Sequence, residues 1–435
     1  MLPLELIIQA LSFFDSHDDY ETLKSCALVH SSWAPIAQAN LFRHLILKFN
    51  SPRHEDYFEI STQATIAYNL LIEYISHNPR LATYIQQVSL HHFESFGRTH
   101  LMFLAQKEQE ERTAIRNLLL ELTSVKTLRL LRFGVVDGFH DVLIHLFRLP
   151  TLTRFEVTFA RYASTADLLL VLFNATNLKD ISMVNIGFDG RVLPSAQDSS
   201  LIAAPQSIHL NSLHFSLCPL DHIIPFFSEP HCPLDFSSLR TLRLHRAKLF
   251  DYDTTAQLLS LVGQSLHHLE LHGPDRVSED KDNVHLGYTP NLQSLTLLNL
   301  RQTLTYNPIA WIQSLFPVSI AEESPITPYL RVVTFAVVAD TPNSILRAVG
   351  PAPWSTWKTV DALFSSNISP QLQFPCLQQA RMIVSTPSEV LDPKLVCIVE
   401  DQFPELMKEG KLALETTCWE VATTKAVMRL SAPVP

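Results

Sequence analysis

Apolar residues recur through the middle of this chain in one short pattern. An apolar residue is followed by two others, a second apolar residue, one other, and a third apolar residue. Copies occur at Ile85/Val88/Leu90, Val125/Leu128/Leu130, Leu152/Phe155/Val157, Leu178/Ile181/Met183, Leu210/Leu213/Phe215, Leu239/Leu242/Leu244, Leu266/Leu269/Leu271 and Leu292/Leu295/Leu297. Two weaker copies follow at Leu330/Val333/Phe335 and Leu377/Ala380/Met382. The steps between first positions run from 26 to 47 residues, and five of the nine fall between 26 and 29. The last two apolar positions of a copy are two apart, which puts both on one face of a strand. Helix-like segments separate the copies. "STADLLLVLFN" and "DTTAQLLSLVG" open on capping residues, and "NPIAWIQSLF" places Pro308 at a first helical position, where its missing N–H costs nothing. One strand, turn and helix cannot bury its apolar face alone, whereas stacked on neighbours it can. The pattern therefore predicts a parallel sheet with the copies in chain order. In that register Arg243 lies beside Glu270 and His245 beside His272.

This pattern resembles the leucine-rich-repeat family over about residues 80–385. The match is to an irregular member. The family's asparagine ladder is mostly absent: Cys218 stands in a matching place, but Ala247 and Leu300 occupy the equivalent ones. The resemblance implies an α/β solenoid with a parallel sheet on its concave side. The concave face carries the residues that alternate with the buried strand positions. Arg243, His245, His268, Glu270 and His272 are the target-binding candidates there, with Arg129, Arg154, Glu156, His214 and Arg381 elsewhere on the face. Two readings of that group stand side by side. One is a solvated face with a single cross-strand ion pair, worth up to about 1 kcal/mol. The other is a rigid patch that recognises a peptide. A zinc site is not expected, because no fourth ligand sits at suitable spacing.

Three short helices are predicted ahead of the repeats. Leu4, Ile7, Ile8 and Leu11 follow one helical stripe, Tyr20, Leu23 and Ala27 a second, and Trp33, Ile36, Ala37 and Leu41 a third. Ser32 is the expected cap of the third helix, and Pro35 falls in its first turn. Further apolar residues lie off these stripes: Leu2, Leu6, Phe13, Phe14, Val29 and Phe42. That surplus points either to a partner or to packing on the first repeat.

These residues resemble the F-box. Its Leu-Pro start, apolar first helix, Leu-rich second helix and Trp-led third are matched by Leu2, Pro3, Glu5, Ile7, Ile8, Leu23, Val29, Trp33 and Leu41, with Cys26 in the second helix. Ser31 and Ser32 stand where the family often has a cationic pair. An F-box followed by leucine-rich repeats is similar to the substrate-receptor subunit of a cullin-RING ubiquitin ligase. The resemblance implies docking on a Skp-family adaptor, and through it a cullin, by Leu2, Pro3, Glu5, Ile8, Val29, Trp33 and Leu41. It also implies that the repeats hold a target protein while this chain makes and breaks no bond. The alternative is a leucine-rich-repeat scaffold with no ligase role. The expected organisation is an F-box-like domain at 1–47, a helical linker at 48–80, the repeats at 81–385 and a C-terminal cap at 386–435.

Composition narrows the classes further. With 43 acidic and 33 basic residues the net charge is −10, opposite in sign to the stripe a nucleic-acid binder needs. No apolar run approaches the roughly 20 residues that span a bilayer. The opening stretch carries Glu5 and no positive region before its apolar run, so it does not read as a secretory signal. The six cysteines are scattered without a C-x-x-C pair, which favours reduced thiols and an intracellular place, cytoplasmic or nuclear. Glycine-rich phosphate loops and the common hydrolase and metalloprotease motifs are missing, so neither a cofactor nor a catalytic residue is expected. Trp354 and Trp357, in a long insertion, would serve equally as exposed anchors or as packing for a helix on the last repeats.

Overall fold

The computed structural model describes residues 19–29, 31, 33–48, 57–91, 102–133, 139–162, 172, 174–188, 207–228, 232–245, 252–274, 284–302, 307–316, 327–339, 354–365, 374–386 and 393–418. In chain order the first elements are α1 (Tyr20–Val29), α2 (Ala34–Leu41), β1 (His44–Lys48), α3 (Tyr57–His77), α4 (Arg80–Tyr84), β2 (Gln87–His91), α5 (Met102–Leu120), β3 (Thr127–Leu131), α6 (His140–Phe147), β4 (Arg154–Thr158), β5 (Arg161–Tyr162), β6 (Asp180–Val184), β7 (Gly187–Phe188) and β8 (Ile208–His209). They are followed by β9 (Ser212–Ser216), α7 (Leu220–Phe227), β10 (Leu234–Asp235), β11 (Thr241–His245), α8 (Tyr252–Val262), β12 (His268–His272), β13 (Ser294–Gln302), α9 (Ile309–Ser314), β14 (Val332–Ala339), α10 (Lys358–Phe364), β15 (Gln379–Thr386), α11 (Pro393–Glu400), α12 (Pro404–Lys408) and β16 (Leu412–Cys418).

These elements fall into two compact units, one within residues 1–210 and 230–235, the other within 211–229 and 236–435. Both are α/β. In the first unit β1, β2, β3, β4 and β6 pair in that order, all parallel. Two short parallel pairs, β5 with β7 and β8 with β10, accompany them. In the second unit β9, β11, β12, β13, β14, β15 and β16 pair in that order, again all parallel.

The apolar pattern explains these sheets. Each of the thirty positions in the ten copies is at most 4% exposed. Their rows are in register: Val88, Leu128, Phe155 and Ile181 align in the first unit. Leu213, Leu242, Leu269, Leu295, Val333 and Ala380 align in the second. Two strands lie outside the ten copies. β1 spans the expected boundary at residue 47 and aligns Leu45 with Val88 and Leu47 with Leu90. β16 extends the second unit from within the segment expected as a cap, aligning Leu412 with Ala380 and Leu414 with Met382.

Backbone hydrogen bonds fix both ends of the strands. At the start, one carbonyl accepts from two consecutive amides of the next coil. Arg43 O takes Gln86 and Gln87, Gln86 O takes Lys126 and Thr127, Lys126 O takes Thr153 and Arg154, and Thr153 O takes Lys179 and Asp180. In the second unit the carbonyls of Asn211, Arg240, His267, Gln293 and Arg331 do the same, and all these bonds are 2.7–3.1 Å long. At the other end, Arg132, Phe159, Asn185 and Leu217 directly follow β3, β4, β6 and β9 with φ of 52–55°. The amides of Arg132, Phe159 and Leu217 donate to the carbonyls of Thr158, Val184 and His245 on the next strand. That bond offsets the roughly 1–2 kcal/mol that a left-handed residue costs.

Helices close the second unit. α8 forms where the Asp/Thr-led segment predicted it, but its terminal Gly263 serves a close approach. A Cβ there would lie 2.3 Å from the Tyr288 carbonyl oxygen. α9 begins one residue later than expected, after Pro308, and the Asn307 carboxamide accepts the Ile309 amide at 2.9 Å. The insertion tryptophans are packed: Trp354 and Trp357 are at most 1% exposed, and Trp357 meets Phe335 and Phe403 at ring-centroid distances of 5.9 and 6.0 Å. Trp357 Nε1 donates to Gln302 Oε1 at 3.0 Å. The anchor alternative for these residues is thereby removed. α12 ends with Gly410 at φ 68°, whose amide bonds Met407 O while Lys411 N–H bonds Leu406 O, a left-handed stop that glycine accepts at no steric cost.

The N-terminus of α12 is capped from another helix. Asp361 on α10 is 2% exposed, and its two oxygens accept the amides of Glu405 and Leu406 at 3.0 and 2.9 Å. Removing the carboxylate leaves both donors unsatisfied. Asp361→Ala is expected to lower stability by roughly 1–3 kcal/mol, read as a fall in the urea midpoint.

Candidate functional site

The residues alternating with the buried rows make up a second face, apolar at Val332, Ala336 and Val338 of β14 but polar on other strands. In the second unit that face is densest across β9, β11 and β12. The expected register is present, with Arg243 opposite Glu270 and Thr241 opposite His268. The closest contact, however, is diagonal. His245 Nε2 lies 2.5 Å from Glu270 Oε1, whereas Arg243 Nε is 3.7 Å from Glu270 Oε2. Burial alone would raise the Glu270 carboxyl, but the hydrogen bond from His245 and the charges of His245 and Arg243 outweigh it and hold the pKa below its usual value. The carboxylate is therefore ionised, and His245 Nε2 carries the proton it donates.

Two further imidazoles adjoin this pair. The His214 ring meets that of His245 edge-on with centroids 4.7 Å apart, and the His272 ring lies 6.4 Å from it. His272 Nδ1 donates to Gly273 O at 3.3 Å. His214 is 5% exposed, and desolvation, with His245 and Arg243 adding to it, pushes its pKa down to about 3. It stays neutral across the ordinary pH range. His268 stands at the exposed start of β12, and Arg243 is half-buried. All five predicted target-binding residues thus lie on two adjacent strands, and His214 joins them from a third. Its signal was present in the sequence, because it occupies the middle polar position of β9, opposite Arg243.

The first unit carries a related group. Arg129 Nε lies 2.8 Å from Glu156 Oε2, and Arg154 Nε lies 2.5 Å from Glu156 Oε1. Arg129 and Glu156 are register partners on β3 and β4, as Arg243 and Glu270 are on β11 and β12. Here both cations are permanent.

The predicted adaptor-binding residues divide. Leu2, Pro3, Glu5 and Ile8 lie outside the described residues. Leu23 and Ala37 form a buried cluster between α1 and α2, and Cys26, Ala27, Trp33, Ile36 and Leu41 pack against it. Trp33 and Leu41 therefore give part of their surface to this cluster. Trp33 also occupies the N-cap position of α2 and makes no side-chain cap bond. Val29 and its neighbour Leu28 project into solvent at 69% and 81% exposure.

Among the described residues no group of three or more His, Cys, Asp or Glu is placed to hold a metal ion. No helix among them is long and apolar enough to cross a membrane. No protein-family model matches the chain, and no curated protein matches it.

The neutral His214 sets a sign for acid stability. Its folded pKa lies below the ordinary 6.5, so below pH 6.5 the unfolded chain takes up a proton that the folded chain refuses. Stability falls by up to about 1.4 kcal/mol per pH unit as pH drops from 6.5 towards 3. Glu270 is also depressed, and its contribution is present above its ordinary 4.5 and is lost only below that value. Between pH 6.5 and 4.5 the loss belongs to His214 together with His268, which desolvation also holds below its ordinary value, and His214→Gln is expected to reduce the slope. Urea midpoints at pH 7, 6, 5 and 4.5 measure the slope.

Proposed function

We propose that this chain is the substrate-receptor subunit of a cullin-RING ubiquitin ligase. In this reading the N-terminal residues form an F-box that docks on a Skp-family adaptor, and through it on a cullin. The remainder is an irregular leucine-rich-repeat solenoid whose concave sheet face holds a target protein. The work is positional. Tethering a target beside a charged conjugating enzyme turns a bimolecular transfer into a local one, and this chain supplies no catalytic group or cofactor. Its place of action is cytoplasmic or nuclear.

The observation that carries the reading is the solvent-facing pair Leu28 and Val29 at the end of α1, beside the small cluster of Leu23 and Ala37. Among the described residues these two helices leave the Leu28 and Val29 side chains in water, at about 25 cal/mol for each Å² of apolar surface, which a partner would relieve. The repeat supports the other half. Ten copies in parallel register share the same buried rows, and across β9, β11 and β12 the opposite face is polar, a surface of the kind a receptor uses.

The test is capture of a purified Skp-family adaptor by the full chain. Val29→Asp removes an exposed apolar contact, so it is expected to weaken capture at least tenfold while leaving circular dichroism and the urea midpoint unchanged. Leu2→Ala with Pro3→Ala is expected to act in the same direction. A parent chain that captures no adaptor, or a Val29→Asp variant that captures as well as the parent, defeats the ligase reading and leaves the scaffold.

A further inference from the structure

We infer that this chain pairs with a second copy of itself through the outer face of α3, the two helices lying antiparallel across a twofold axis at Leu70. The pairing goes beyond the receptor reading and does not depend on adaptor capture.

The helix has two apolar sides. On the inner one Tyr68, Leu71, Ile72 and Ile75 are buried or half-buried, and α3 packs against α5. Tyr68 Oη donates to Lys48 O at 3.3 Å, and desolvation, with the Glu111 charge adding to it, pushes the phenol pKa up to about 12. On the outer side Ile66, Leu70 and Tyr74 are 54%, 46% and 63% exposed. Residues four apart are neighbours on a helix surface, so the three form one stripe. Single exposed apolar residues are ordinary, but a contiguous row of large ones marks a contact surface. A helix apolar on both sides belongs between two layers, and here water takes the place of the second.

The order of residues along this face selects the occupant. Gln63 and His77 are exposed at its two ends, and Ala67 and Glu73 are exposed beside the stripe. Positions 63, 66, 67, 70, 73, 74 and 77 mirror one another about Leu70. A twofold axis through an antiparallel pair brings each residue opposite its mirror position on the other copy. Leu70 then meets Leu70, Ile66 meets Tyr74, and Gln63 meets His77, so apolar groups lie on apolar ones and polar on polar. Glu73, the one carboxylate on the face, falls opposite the small side chain of Ala67. A parallel pair in register would instead set Glu73 against Glu73, and like charges brought together are costly. No Lys or Arg lies on the face to attract an acidic partner, and a single carboxylate offers little to a basic one. The steps of three and four from 63 through 66, 70 and 73 to 77 are those of a coiled-coil seam.

The size of the face sets the strength of the pairing. It runs about 21 Å along the helix and about 10–12 Å across it. That footprint is well under the roughly 800 Å² per partner of a standard interface. The pair is therefore weak and reversible, and it forms in the micromolar range of concentration.

The test is sedimentation velocity of the full chain over about 1 to 200 µM, where mass action reveals a weak pair. The sedimenting mass of the parent is expected to rise from that of one chain towards that of two. Leu70→Glu sets two carboxylates together on the twofold axis and is expected to weaken association at least tenfold. Ile66→Lys and Tyr74→Glu are each expected to weaken it as well. An equimolar mixture of those two variants is expected to restore it, because antiparallel pairing opposes the new charges at one contact and keeps Ile66 against Tyr74 at the other. Leu261 on α8 is 41% exposed, and Leu261→Glu is expected to leave association unchanged. Circular dichroism and the urea midpoint check that every variant is folded. A parent that stays monomeric at the highest concentration, a Leu70→Glu variant that associates as the parent does, or a mixture no better than its components overturns the inference. So does a monomeric parent whose adaptor capture falls with Leu70→Glu, which would assign the face to the adaptor. Val29→Asp is expected to leave association unchanged and Leu70→Glu to leave adaptor capture unchanged, so failure of either reading is told from failure of the other.

Discussion

A carbonyl oxygen that accepts two consecutive amides from the next coil governs where most of the long sheet strands begin. Among the described residues nine such carbonyls occur, four in the first unit and five in the second. Parallel strands tolerate small slips in their slanted hydrogen bonds, but a slip of one residue would turn every buried row outward. The doubled acceptor removes that freedom before the strand starts. Once the register is set, Leu, Val, Ile, Phe and Met fall into continuous rows with at most 4% exposure. The opposite face then follows without further specification, because every residue between two buried ones must point the other way.

Much of this architecture is legible in the sequence, because burial at three positions per coil leaves a periodic trace. The exceptions are instructive. Phe42, Leu45 and Leu47 carry the same spacing, the last two within β1, but Phe42 follows directly on the apolar helix residue Leu41 and reads as part of that helix. β16 is hidden for another reason. Its first pattern position is Glu409, so only Leu412 and Leu414 keep the trace, and pairing with β15 supplies the rest. Trp354 and Trp357 could not be placed from sequence, since nothing local distinguishes an indole under Phe335 and Phe403 from one in water. On the polar face, register alone gave Arg243 with Glu270. The shorter contact runs diagonally from His245, because long side chains reach the j±2 neighbour as readily as the one directly opposite.

The two units use one electrostatic device in different ways. In each, an Arg in the middle of one strand faces a Glu in the middle of the next, and a third side chain completes the group. Arg154 is that third member for Glu156, and a guanidinium keeps its charge throughout the working range. For Glu270 the third member is His245, which lies on the strand of the Arg and not on that of the Glu. The two groups thus share an Arg–Glu register pair but draw their third member from different strands.

The left-handed residues that follow β3, β4, β6 and β9 act as punctuation, since φ near +55° breaks the regular extended backbone. Those four strands are five residues long. In β13 the same conformation, at Asn299, falls inside the strand and coincides with a shift of register between Leu297 and Leu300, and β13 runs on to nine residues. The strands after it, β14 and β15, each reach eight. A turn absorbed as a bulge thus lengthens the ladder from that point on. More rungs must break together there before any amide meets solvent, so resistance to local opening is graded along the second unit and greatest over β13 to β15.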